Sequence, residues 1–221
     1  MILTHGANSL ERGGGNTVNI GGRDYPTTKI GNQIWLAENL DYKFEVNGEP
    51  LDIGEQYSMP TPAAWYYQNN ETDYGVDGTY KCGLLYNWHA VDYLEQNKSS
   101  LLPTGWHVPS KTEWEVLITS VGTNPGTKLK ALDNSVISGF PSGWNGSDDY
   151  GFGMLPCGTR TTGGSPFMRL NELVFPWTST VYDGDSTLAY TSSLRHNDSN
   201  CPMEGDYKYC GNIVRLVKDA M

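Results

Sequence analysis

No stretch of the 221 residues approaches the ~18 consecutive apolar side chains of a membrane-spanning helix, so membrane insertion is excluded as an expectation. The opening Met1-Ile2-Leu3-Thr4-His5-Gly6 carries neither a basic n-region nor an apolar h-region, the two parts of a secretory signal. Two routes outward stay open: carriage within a larger particle assembled in the cytoplasm, or a leader already removed. Catalytic signatures are missing as well. There is no HExxH, no GxSxG and no phosphate-binding loop; the segment from Gly122 to Lys128 resembles the last only superficially. The 4 histidines are scattered, and His107 is expected to be a packed, hydrogen-bonded side chain rather than a base. A Cys157–His107 nucleophile pair has no local signature to support it. The expectation is therefore a protein that is not an enzyme.

Positive charge is also scarce. Lys and Arg number 15 against 25 Asp and Glu, a net charge of −10, and such a surface repels phosphate backbones. Nucleic acid is excluded as a partner on that ground. The same acidity is compatible with calcium, although no cofactor is required by any motif. Cysteine is sparse: Cys82, Cys157, Cys201 and Cys210 form no CxxC pair. Cys201 and Cys210 are close enough in sequence to clip a loop in an oxidising setting, and they would stay free thiols in a particle assembled in the cytoplasm.

Aromatic and turn residues are abundant. The chain holds 7 Trp, 14 Tyr, 26 Gly and 12 Pro, a mixture that suits short strands and long ordered loops rather than a helix bundle. Large anchors run along the whole length, which argues for one folded domain and against disorder. Residues 1–22 are polar and Gly-rich and are expected to form an attachment segment outside the core, leaving a domain over 23–221. A helix is predicted over 86–96, with Leu85, Trp88, Ala90, Val91 and Leu94 as its buried stripe. A second is predicted over 110–121, where Ser110 and Glu113 make a capping box and Trp114, Leu117, Ile118 and Val121 recur at helical spacing up to Gly122. A further helical turn is placed at 127–132. Short strands or loops are read at 144–150, 152–155, 175–180 and 188–192, and Ile213 to Val217 reads as a closing strand. Strands at both ends with helices between them indicate an α+β fold.

The stretch from Tyr182 to Asn212 has little aliphatic content and is rich in Tyr, Ser, Asn and Asp. Tyrosine supplies rigid amphipathic area and the small polar residues supply adaptable hydrogen bonds, the composition of a binding face. The candidate ligand-binding residues are Trp177, Tyr182, Asp183, Asp185, Tyr190, Ser192, Arg195, Asn197, Asp198, Tyr207 and Tyr209. Asp148 and Asp149 are read as turn residues bonding their own backbone rather than as metal ligands. The sugar-binding triplets of calcium-dependent lectins are absent, so calcium-bridged sugar recognition is not expected, although Asp183, Asp185 and Glu204 could build an unrelated calcium site.

Seven segments follow one another in a fixed order: Ile34 to Leu40, Leu84 to Trp88, Pro103 to Ser110 with Glu113 and Trp114, Gly126 to Lys130, Asp148 to Phe152 with Leu155 and Pro156, Trp177 to Thr180, and Val214 to Asp219. Together they resemble the Fibrobacter succinogenes major paralogous domain, a family of Bacteroidetes and their phages. The resemblance implies a C-type-lectin-like fold in which N- and C-terminal strands pair, two helices flank them and long loops form a display surface. It implies a ligand-binding role: a phage receptor-binding or adhesion protein, such as a tail-fibre component, recognising a host-surface glycan or protein. Residues 1–22 would then attach it to other virion proteins, and a homo-oligomer would be in keeping. A virion decoration or capping protein and a bacterial surface lipoprotein are the alternatives, the latter placing it at the cell surface. The resemblance departs at Leu102, where relatives often carry Cys, and at Cys157, where Gly is common. Family disulfides are therefore not carried over.

Overall fold

In the computed structural model residues 16–54, 60–67, 82–132, 143–161 and 167–220 are described, and the chain enters as an antiparallel meander. β1 (Thr17–Ile20), β2 (Arg23–Ile30) and β3 (Gln33–Leu36) follow one another through tight turns. Gly21 and Gly22 both take positive φ, as a two-residue hairpin matched to strand twist demands. The sheet order is β1-β2-β3-β16. The last strand, β16 (Val217–Asp219), lies antiparallel to β3, with Val217 opposite Trp35 and Asp219 opposite Gln33. The last strand thus closes onto the opening meander through β3, with β1 at the opposite edge of the sheet. β1 corrects the expected domain boundary: Ile20 is only 2% exposed and belongs to the core, so the folded domain includes Thr17–Ile20 rather than beginning after Gly22. Residues 1–15 lie outside the described residues.

Five short strands follow: β4 (Glu45–Val46) and β5 (Glu49–Pro50) form one pair, and β6 (Asp52–Ile53), β7 (Ala63–Trp65) and β8 (Leu85–Tyr86) a small mixed sheet. Four helices come next, α1 (Trp88–Gln96), α2 (Lys98–Leu101), α3 (Lys111–Val121) and α4 (Pro125–Leu129). Asn87 caps α1: its Oδ1 accepts from the Ala90 and Ala63 amides and its Nδ2 donates to the Thr61 carbonyl. Trp88, Ala90, Val91 and Leu94 then turn inward, as predicted. The capping box at the start of α3 is formed in both directions between Ser110 and Glu113, and Gly122 ends that helix at positive φ. α2 was not foreseen; its four residues bury no side chain, so no periodicity marks it.

The second half is sheet and loop: β9 (Cys157–Arg160), β10 (Phe167–Leu170), β11 (Leu173–Val174), β12 (Trp177–Val181), β13 (Leu188–Ser192), β14 (Leu194–Arg195) and β15 (Met203–Tyr207). They form two sheets, ordered β10-β9-β11-β14 and β12-β13-β15. The architecture is α+β, mostly short strands with few helices. Among the described residues no helix is long and apolar enough to cross a membrane.

Two aromatic-rich clusters make the core. One gathers around α1 and includes Trp88, Trp106, Trp177 and Tyr86; the other gathers around α3. In the second, Trp35 lies 5.0 Å from Trp114 and 5.8 Å from Phe152, ring to ring in tilted and edge-on geometry. Between β13 and β16 the chain departs from prediction. Residues 213–216 are buried but form no strand, because their backbone groups bond to different partners: the Ile213 carbonyl to Trp177, Val214 to Leu40 and Leu216 to Leu36. Arg215 is fully buried there, donating to Asn39 Oδ1, to the Leu36 and Phe152 carbonyls and to Gly153 O. A buried guanidinium needs such a set of acceptors. The sulfur chemistry that the sequence leaves open is resolved by the fold. Cys157 forms a disulfide with Cys82 across 75 residues of sequence, while Cys201 and Cys210 are buried free thiols.

Candidate ligand-binding site

The register of β13 against β15 sorts the predicted binding segment into two faces. Leu188 stands opposite Tyr207 and Tyr190 opposite Gly205, whereas Ala189 pairs with Asp206 and Thr191 with Glu204. Side chains alternate along a strand, so Tyr190 and Tyr207 look one way and Glu204 and Asp206 the other. On the first face the Tyr182 ring covers Gly205, where a Cβ would stand 2.7 Å from a ring carbon, and lies 4.6 Å from the Tyr190 ring. The Tyr190 hydroxyl donates to Asp183 at 2.8 Å, and the Lys111 ammonium stands 4.5 Å from the Tyr190 ring centre. Tyr207 is 48% exposed and stacks in parallel on Tyr209, centroids 5.0 Å apart.

The opposite face borders a cavity of about 510 Å³. Its walls come from β9 (Thr159), β10 (Met168, Arg169), β11 and the turn before it (Glu172, Leu173), Phe175, the β14 segment (Arg195, His196, Asp198) and β15 (Asp206). Arg169 donates to Glu172 at 2.9 Å and Arg195 to Glu204 at 2.7 Å. Asp206 accepts from Asn212 Nδ2, and Thr159 donates to Asn212 Oδ1, both at 2.7 Å. Burial outweighs these bonds and pushes the Asp206 carboxyl above the usual carboxylate range.

The cavity's 195–198 wall is tied down from beneath. Lys130 is fully buried and its ammonium donates to the Arg195 and Asp198 carbonyls, at 2.8 and 2.7 Å, and to the Asn145 side chain. Gly126 approaches so closely that a Cβ would lie 2.0 Å from the Asn200 carbonyl oxygen, and its amide donates to Ser199 O. The Gly126 to Lys130 segment thus has a local physical purpose: a glycine for backbone contact and a lysine whose ammonium hydrogen-bonds Asn145, Arg195 and Asp198. Nearby, Asp148 accepts from the Gly153 amide at 2.7 Å, the turn role expected of it.

The eleven predicted contact residues do not form one patch. Arg195 and Asp198 line the cavity, and Asn197, at φ 57°, packs its side chain against Gly143 beside it. Tyr182, Asp183 and Tyr190 form the bonded group on the first face, and Tyr207 and Tyr209 the exposed stack. Asp185 is occupied in its own turn, accepting from the Thr187 amide and hydroxyl. Trp177 and Ser192 are a correction: both are fully buried, Trp177 donating to the Tyr86 carbonyl and Ser192 bonded to the Cys201 sulfur, so neither presents a side chain to a ligand. The calcium trio also comes apart. Glu204 turns to Arg195 on the far face from Asp183, and among the described residues no three His, Cys, Asp or Glu side chains are placed to hold a metal ion. The cavity's other walls, Thr159 to Phe175, were missed. Nothing in their composition resembles a binding loop, and only the meeting of two sheets makes them a surface.

The profile of the Fibrobacter succinogenes major domain matches residues 28–218. The chain belongs to this family. No curated protein and no solved structure matches it. The span of this Fibrobacter succinogenes major domain runs from Thr28 in β2 to Lys218 in β16, and so includes the pairing of β3 with β16 and every wall of the cavity.

The family domain's Gly-Trp-His segment also has a structural task. His107 Nδ1 faces the Gly105 carbonyl at 3.0 Å and Nε2 faces Glu113 at 2.6 Å. Two acceptors on two ring nitrogens favour the imidazolium, and the hydrogen bond with Glu113 leads in raising the His107 pKa. Burial alone would raise the Glu113 carboxyl, but hydrogen bonds from His107 and Ser110 outweigh it and leave it lowered. Cys157, weighed with His107 as a nucleophile pair from the sequence, is instead bonded to Cys82.

Proposed function

We propose that this domain is a ligand-binding module without catalytic activity, recognising a surface glycan or protein outside the cytoplasm through the cavity beside β15. One observation carries the reading: the segment whose composition marks it as a binding face supplies Arg195 and Asp198 to an open cavity of about 510 Å³, within the roughly 300–1,000 Å³ of small-ligand sites. We read the fold as C-type-lectin-like, supported by the pairing of the last strand with β3 of the opening meander and by the long loop-rich second half. The absence of catalysis is supported by the thiols: burial pushes Cys201 up to about 12 and raises Cys210 as well, far from a reactive thiolate.

Both settings, a phage virion and a bacterial surface, place the domain outside the cell. The Cys82–Cys157 disulfide favours a chain that matures in an oxidising compartment, hence the bacterial surface over a particle assembled in the cytoplasm. The test is binding of the purified chain to intact Bacteroidales cells. Saturable binding is expected that is lost in Arg195→Ala/Asp198→Ala and retained with EDTA. Binding lost instead in Tyr207→Ala/Tyr209→Ala would move the site to the stacked tyrosines. No binding to any cell would leave an assembly-decorating role as the better account.

A further inference from the structure

Resting on that reading, we infer that the cavity takes a neutral saccharide of a few pyranose rings. The argument begins with charge. Arg169 is already paired with Glu172 and Arg195 with Glu204, so each cation along this wall meets a carboxylate of the protein itself. Asp198 accepts from the Asn200 amide and side chain, and Asp206 from Asn212. A phosphate, sulfate or carboxylate ligand would have to displace a protein carboxylate from its arginine, and a cationic ligand would have to do the converse. Neither gains net charge compensation.

The pairs still leave much hydrogen-bonding capacity unspent. A guanidinium has five N–H donors in a fixed fork and a carboxylate has about four acceptor sites, so one contact between them leaves donors and acceptors side by side. Vicinal hydroxyls need that pattern, because each hydroxyl both donates and accepts. The rest of the wall is apolar: Phe175 is part-exposed, Met168 is 38% exposed and Leu173 lies between them. The Arg195 guanidinium stands 6.0 Å from the Phe175 ring, so a polar fork and an aromatic face meet at one place. A pyranose offers the matching pair, hydroxyls at its rim and C–H groups on its face. The recognition needs no metal, in keeping with the separation of Asp183 from Glu204.

The test uses the full chain on an array of neutral hexose and N-acetylhexosamine oligosaccharides, set beside uronate-bearing, sialylated and sulfated ones, with and without EDTA and at low and high sodium chloride. Neutral oligosaccharides are expected to bind, insensitive to salt and EDTA. Affinity should fall about tenfold or more in Phe175→Ala. Arg169→Gln, at the exposed rim, gives a second variant whose fold is not in question, and it should weaken the same ligands. Binding confined to acidic oligosaccharides, falling with salt and lost in these variants, overturns the neutral class and leaves the cavity as a ligand site. Cell binding that survives periodate oxidation of the cell surface overturns it in favour of a protein ligand. Absence of binding to both array and cells removes the ligand-binding reading itself.

Discussion

His107 shows how much one side chain in this protein is fixed by its acceptors. Its two nitrogens are held by Gly105 and Glu113, and Glu113 in turn caps α3 through Ser110, so a charge pair and a helix start are one unit. The two titrations limit it from opposite sides. His107 has a folded pKa raised above 6.5, so its contribution is complete below that value and is lost as pH rises through the raised one. Glu113 has a folded pKa lowered below 4.5, so its contribution is complete above that value and is lost as pH falls through the lowered one. The stability difference between the wild-type chain and His107→Gln should therefore be greatest from about pH 4.5 to 6.5 and shrink on either side, read from urea midpoints across pH. A difference that stays flat across that range would show that the pair carries no linked proton.

Elements in this fold are short, and most are stable only through what lies across from them. β1 is a four-residue edge strand whose one buried side chain, Ile20, reaches the α1 core. Deletion of residues 1–22 removes that strand and should cost about 2 kcal/mol by the burial of one isoleucine, measured as a lowered urea midpoint with an unchanged slope. α1 was legible from its buried stripe, and α3 because a capping box, a stripe and a terminating glycine agree. α2 and residues 213–216 were not, since a single turn has no period and a β-branched run can serve several partners as well as one strand.

Across the whole molecule the strongest tie between distant segments is covalent. The Cys82–Cys157 bond joins the approach to β8 to the start of β9, and closing 75 residues is worth about 4 kcal/mol in the chain-entropy account. Cys82→Ser should lose stability of that order. Alkylation gives an independent reading. The native chain should react at neither Cys201 nor Cys210, and the unfolded, unreduced chain at both and nowhere else. Four reacting thiols would show the bond to be absent. The cavity belongs to this scale too, because its walls come from two sheets and a loop held by Lys130 from α4's C-terminus.

Sequence by itself determined what depends on near neighbours along the chain: the buried stripe of α1, the capping box of α3, the role of Asp148 and the family to which the ordered motifs belong. It also marked 182–212 as unlike a core, because a run of Tyr, Ser and Asn is visible without any contact. Tertiary structure alone decided which of those side chains face outward. Ser192, inside that run, and Trp177, expected beneath a ligand, are both buried; Ser192 shares the Tyr190 face of β13, and the packing of Cys201 against it, not residue type, covers it. It alone chose Cys157 as the partner of Cys82 and separated Glu204 from Asp183. Pairing and convergence are distances in space, and a linear pattern fixes them only where few residues intervene.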